Sequence, residues 1–239
     1  MSMKKAVLVM LVVLMLAGLS LEALEKPRLG VLRFSNETRI EWWTVSVARD
    51  MQDLMASELA STGEFTVLER NELGEVLAEQ DLSESGRVDP ATAVKVGKVK
   101  GAQYLIAGTV TSFERGVAGG GGKARFKGLS VGGKKDKAYI AVDVKVIDTE
   151  TGEIVDTRTI EATVTAKGAG AGLSLRNFSI GGDTYKKTAT GKAIRACMVY
   201  ISEYLTCSLV KGKDHSCMNK WDKMDAKRRE KTKSTIKLD

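Results

Sequence analysis

The side chains able to do covalent or metal chemistry gather near one end of this sequence. Cys197, Cys207 and Cys217 are the only cysteines, and His215 is the only histidine. Cys197 shares a helical face with Ile194 and Ile201, the pattern of a small buried hydrophobe. Cys207 and Cys217 bracket Lys211-Gly212-Lys213, and in an exported chain the reading favours a disulfide between them. A lone histidine with these spacings fits no common zinc motif, so no metal and no cofactor is expected. Serines and carboxylates are plentiful, yet no nucleophile sits beside a base in any recognisable pattern, which points away from an enzyme. Glu69-Arg70-Asn71 reads as helix-start chemistry with a surface ion pair rather than a catalytic pair.

The other unusual residues are glycines. Residues 112–138 contain GVAGGGGKARFKGLSVGG, and residues 163–182 contain AKGAGAGLSLRNFSIGG. Each insert is long enough for two strands of roughly 9–11 residues and a turn, the length that crosses a hydrocarbon core when tilted. In the first insert Arg115, Lys123, Arg125 and Lys127 share one parity, and Ala118, Ala124 and Phe126 the other, so a strand would send them to opposite faces. The parity changes after Gly128, which places a turn near Lys127-Gly128. The second insert alternates more weakly, and its turn is not fixed by the pattern. A charged face against a small or apolar one suits the lumen and lipid sides of a membrane barrel. Open strand edges in hydrocarbon leave backbone groups unpaired, so two hairpins per chain close only by joining copies in a ring. Plain flexible surface loops account for the same glycines. A phosphate-cradling loop is the weaker alternative, because no G-K-[ST] follows the glycines.

The elements that would position these inserts come from hydrophobic patterning over 239 residues with 43% hydrophobic content, enough for one sizeable core. Lys4 and Lys5 precede the apolar run of residues 6–19, which reads as a signal peptide cleaved after Ala23, with a retained anchor as the alternative. No cysteine follows that run, so a lipobox is not expected. Residues 24–210 read as an α/β domain, and residues 211–239 as a basic, frayed tail. The net charge is +7, much of it in that tail. Without interleaved aromatics this argues against nucleic acid and for solvent, anionic lipid or a partner.

Strands are expected at residues 29–34, 65–68 and 104–110, then a hairpin of residues 139–148 and 154–162 turning at Thr151-Gly152. Helices are expected at residues 47–59, capped by Thr44 or Ser46 and ended by Gly63, at 69–82 with Leu73, Val76 and Leu77 inward, at 91–99 behind Asp89-Pro90, and at 183–209. Nothing after the signal looks apolar enough to span a membrane as a helix. The expected class is α+β: a mixed α/β core of about five strands and four helices, with the two inserts projecting from one side of the sheet.

LGVLRF, a loop ending WWT, FTVLERNELGEVLAEQ, GAQYLIAGTVTSFE and YIAVDVKVIDTETGEIV, followed by the closing helix, together resemble the CsgG/HfaB family. The resemblance runs from about Leu29 to Leu205. It implies a periplasmic domain whose two hairpins combine around a homo-oligomeric ring into one outer-membrane barrel that passes an exported polypeptide, aided by periplasmic or surface accessory proteins. It also implies that a loop after the first strand narrows the pore, which makes Asn36, Glu41, Trp42 and Trp43 the constriction candidates. The alternative for Trp42 and Trp43 is burial as core or interface anchors. The barrel lumen would be lined by Arg115, Lys123, Arg125 and Lys127. A soluble periplasmic assembly scaffold built on the same core is the rival function.

Overall fold

The computed structural model describes residues 25–38, 40, 43–118, 125–126, 129–130, 135–167 and 188–235. The expected signal peptide, Glu41, Trp42, Lys123, Lys127, part of the first glycine-rich insert and most of the second lie outside these residues. Among these residues the chain forms a mixed sheet of six strands with four α-helices. The strands are β1 (Arg28–Val31), β2 (Ser35–Asn36), β3 (Thr66–Leu68), β4 (Tyr104–Ala118), β7 (Lys135–Asp148) and β8 (Ile154–Lys167). Their order is β3-β1-β4-β7-β8, with β2 beside β4. The pairings of β1 with β3 and β4 are parallel, and those of β7 with β4 and β8 are antiparallel.

Helix α1 (Val45–Thr62) forms where the sequence predicts it. The Thr44 side chain accepts the Val47 amide at 3.3 Å, and Gly63 ends the helix in the left-handed region at φ 70°. Val47, Met51, Leu54, Met55 and Leu59 make its buried stripe. Gln52, also buried, donates to the Val31 carbonyl at 2.7 Å and ties the helix to β1. Helix α3 (Ala189–Leu205) starts at Thr188, whose hydroxyl accepts the Gly191 amide at 3.2 Å. Its apolar face covers Ile140, Val142, Val144 and Ile160, all buried. Arg195 of α3 pairs with Glu58 of α1 at 3.5 Å where the two helices meet. Ala189–Lys211 is long and apolar enough to cross a membrane by length and composition, against the expectation that no later segment is. Its fully buried residues from Ala193 to Leu205 make it the central helix of the core.

Three expectations about helices are corrected. Residues 91–99 make a single turn on Asp89, whose carboxylate accepts the Ala91 amide and whose carbonyl accepts those of Thr92 and Ala93, and they go no further. Gly97 sits at φ 75°, and Val94, Val96 and Val99 are left 47%, 45% and 43% exposed. A helix without a buried face rarely outlasts its nucleation cost. Helix α2 (Leu73–Glu84) does form, but no residue in it is buried, and Val76 and Leu77 are 43% and 44% exposed. The fourth helix lies instead at the end expected to fray: α4 (Met218–Thr235), docked through buried Met218 and Trp221. Trp221 meets the rings of Tyr204 and Tyr200 edge-on at 5.6 and 6.4 Å, and this aromatic corner is what holds the basic segment.

Candidate functional site

The sheet outgrows its core at one end. β4 and β7 stay paired from Tyr104↔Asp148 as far as Ala118↔Lys135, and β7 and β8 as far as Lys135↔Lys167. The strands are 15, 14 and 14 residues long, longer than the hydrophobic pattern suggested. Alternation in their outer halves passes between small, polar and charged residues, and this hides the pairing from a search for apolar periodicity. The result is a three-stranded ribbon whose strand ends meet the first insert (from β4 to β7) and the second (after β8).

Within the first insert, β5 (Arg125–Phe126) and β6 (Leu129–Ser130) pair antiparallel, Arg125 with Ser130 and Phe126 with Leu129. These strands flank the position where the parity change placed a turn. Arg115 lies exposed on β4 beside Ala138 of β7. At the base of the ribbon, the Tyr139 hydroxyl donates to Glu161 at 2.6 Å, across the β7/β8 pair. A cleft of about 730 Å³ separates Ser112, Glu114, Tyr139 and Glu161 from Met224 and Arg228 of α4. Within α4, Asp225 accepts from Arg228 at 2.6 Å and Arg229 at 2.7 Å, one turn further along the same helix. Burial alone would push its carboxyl up, but the two guanidinium partners outweigh burial and hold it below the usual carboxylate value.

The segment expected to narrow a pore begins beside β4. Ser35 and Asn36 run parallel to Thr109 and Val110, and the Asn36 amide caps its own loop, accepting from the Thr38 amide and hydroxyl at 2.9 and 2.6 Å. Trp43 packs partly buried against the core, and its amide donates to the Ile40 carbonyl at 3.1 Å.

At the far end of α3, Cys207 and Cys217 are joined by a disulfide. Cys207 lies in a π-helical turn (Thr206–Lys211) that continues α3. Cys197 is fully buried, its thiol pushed up by burial and aimed at the Ile160 carbonyl at 3.6 Å. Beneath α4, burial pushes the Tyr204 hydroxyl up to about 12, and Arg158 lies 5.1 Å over its ring. Arg158 also donates to Asp222 of α4 at 3.0 Å. Sequence reasoning missed this Arg158–Tyr204–Trp221 corner, since its members are far apart in the chain and none stands out by type.

A family model described as "Curli production assembly/transport component CsgG" matches residues 15–236. The curated proteins of that description from Salmonella typhimurium and Escherichia coli K12 are each 24% identical over 135 residues, covering 55% of this chain and 49% of theirs. The chain therefore spans about half the length of the curated relatives it matches. Among solved structures, the PelC dodecamer from Paraburkholderia phytofirmans aligns over 73% of this chain and 84% of its own at 14% identity and a TM-score of 0.32. Protein CT253 from Chlamydia trachomatis aligns over 77% and 100% at 11% identity and a TM-score of 0.41.

Proposed function

This chain belongs to the CsgG family of curli production assembly/transport components, and from that premise we propose that it is a non-enzymatic subunit of an outer-membrane secretion channel. One observation carries the reading: β4, β7 and β8 remain hydrogen-bonded past the core, so their ends deliver the chain to both inserts already in strand conformation. A strand pair that leaves the core in register needs no new nucleation to continue as a hairpin. The short β5/β6 pair fits such a continuation. In a ring of identical chains, neighbouring hairpins would supply one another's missing edge partners, as closure in hydrocarbon requires. Arg115, Lys123, Arg125 and Lys127 would then line the lumen and favour acidic cargo. Asn36, Glu41, Trp42 and Trp43 would lie on the periplasmic side, where Asn36 is held against β4. Cargo would move by diffusion as an unfolded polypeptide, received from periplasmic or surface accessory proteins.

Single cysteine replacements along residues 122–127 in membrane-embedded protein test the reading. Labelling by a water-soluble reagent should alternate by parity, and the same preparation should raise the conductance of a planar bilayer. Uniform labelling at both parities together with a freely soluble monomer would reject the channel and leave a periplasmic assembly scaffold built on the same core.

A further inference from the structure

The fold brings together three ligands that the sequence spacing disguises. The sulfurs of Cys207 and Cys217 and an imidazole nitrogen of His215 all lie within 4.8 Å of one another. We propose that, once the Cys207–Cys217 bond is reduced, these residues form a three-ligand Zn²⁺ site, so that the end of α3 alternates between a covalent cross-link and a metal clamp.

Around one tetrahedral zinc, with Zn–S of about 2.3 Å and Zn–N of about 2.0 Å, ligand atoms stand roughly 3.5–3.8 Å apart. The present spacing reaches that range with side-chain adjustments of about an ångström, which rotamer changes on a fixed backbone supply. The backbone is fixed on both sides. Cys207 sits in the π-helical turn, a form that recurs at functional sites. His215 and Cys217 sit in a tight turn in which the His215 amide donates to Gly212 at 3.1 Å and the Met218 amide to His215 at 2.9 Å. The Cys217 amide donates to His215 Nδ1 at 3.2 Å, so the one lone pair of the neutral ring already faces the second cysteine, and zinc binding would exchange that hydrogen bond for the Zn–N bond.

The disulfide also faces a way in. Cys207, Cys217 and Ser216 line a cleft of about 500 Å³ together with Glu64, Glu203 and Lys220. A dithiol reductant can enter there. The reductant passes two electrons to the bond through a mixed disulfide, leaves as its own disulfide, and releases Cys207 and Cys217 as two thiols. Zinc then binds both sulfurs and the neutral imidazole, and two protons leave; the metal changes no oxidation state. Three protein ligands leave the fourth position to water or to a cleft carboxylate. Oxidation and metal binding exclude each other, because both need the same two sulfurs.

The full chain, reduced with a phosphine and freed of reductant, would be titrated with Co²⁺ as a spectroscopic stand-in and then with Zn²⁺. One equivalent of Co²⁺ should give a thiolate-to-metal charge-transfer band, lost on adding Zn²⁺ and absent from the oxidised protein. His215→Ala should weaken Zn²⁺ by at least about the tenfold that losing even an outer-shell partner costs elsewhere. Zn²⁺ should also block modification of the two thiols by a disulfide reagent under native conditions, with Cys197 silent because it is buried. Circular dichroism of His215→Ala in the oxidised form checks that its fold is intact. Equal Co²⁺ spectra from oxidised and reduced protein, or Zn²⁺ affinity unchanged in His215→Ala, would overturn the site.

Discussion

Glycine at position 108 is a packing requirement and not a turn. A β-carbon there would overlap the ring of Phe34, which is itself buried in the core. Gly108→Ala should therefore destabilise the chain by about 1–3 kcal/mol, the range for overpacking a filled core, measured by urea unfolding. Nothing in the string GAQYLIAGTV separates this glycine from an ordinary strand glycine, so its role appears only when residue 34 is seen against it. Glu69 was legible: its carboxylate accepts the Asn71 and Glu72 amides at 2.5 and 2.9 Å, the helix-start chemistry expected of it. The Glu72 amide is the main cause of its lowered pKa, ahead of the opposing effect of burial. A depressed carboxylate stabilises the fold fully above its ordinary value of 4.5 and loses that contribution as pH falls through the lowered folded value. Unfolding followed from pH 6 to pH 2 should show this loss in the parent chain and a shallower loss in Glu69→Gln.

Three of the four helices among the described residues hold where something buries a face, and α2 forms without one. α1 and α3 were readable because their apolar residues recur at helical spacing and meet the sheet. Residues 91–99 carry an equally good start signal in Asp89-Pro90, yet they stop after one turn for want of a surface. α4 shows the reverse: its sequence is among the most charged in the chain, and two residues, Met218 and Trp221, dock it. Patterning could not find α4 because its partners, Tyr204, Tyr200 and Arg158, come from other elements. Trp221→Ala should cost about 3–5 kcal/mol and raise amide exchange across residues 218–235 first. Val76→Asp on exposed α2 should change stability in urea by no more than about 0.5 kcal/mol, since that side chain is 43% exposed.

At the scale of the molecule, helices α1 and α3 pack on a sheet whose far end serves the inserts. The disulfide closes the opposite, C-terminal side, fastening the π-helical turn to the start of α4. Closing a loop of this size should contribute about 2–4 kcal/mol, so the melting temperature should fall on reduction and recover in part when Zn²⁺ is added to the reduced chain. The positions of the core strands along the chain and the central hairpin were accessible from sequence because each depends on local pattern. The length of the ribbon was not, since its outer residues alternate without strong hydrophobic contrast and are fixed by neighbours across the sheet.

The irregularity between Val110 and Ser112 in β4 places one unmatched residue, Thr111, in the ladder. Up to that point the even-numbered residues Ile106, Gly108 and Val110 point with Val142 and Val144 of β7; beyond it Phe113 and Arg115 take that side, opposite Ile140 and Ala138. Thr111 is thus a phase shifter between the globule and everything threaded outward from it. Deleting this one threonine would remove the unmatched position and leave an unbroken ladder, with Phe113 still opposite Ile140 and Arg115 still opposite Ala138 on the face they now occupy.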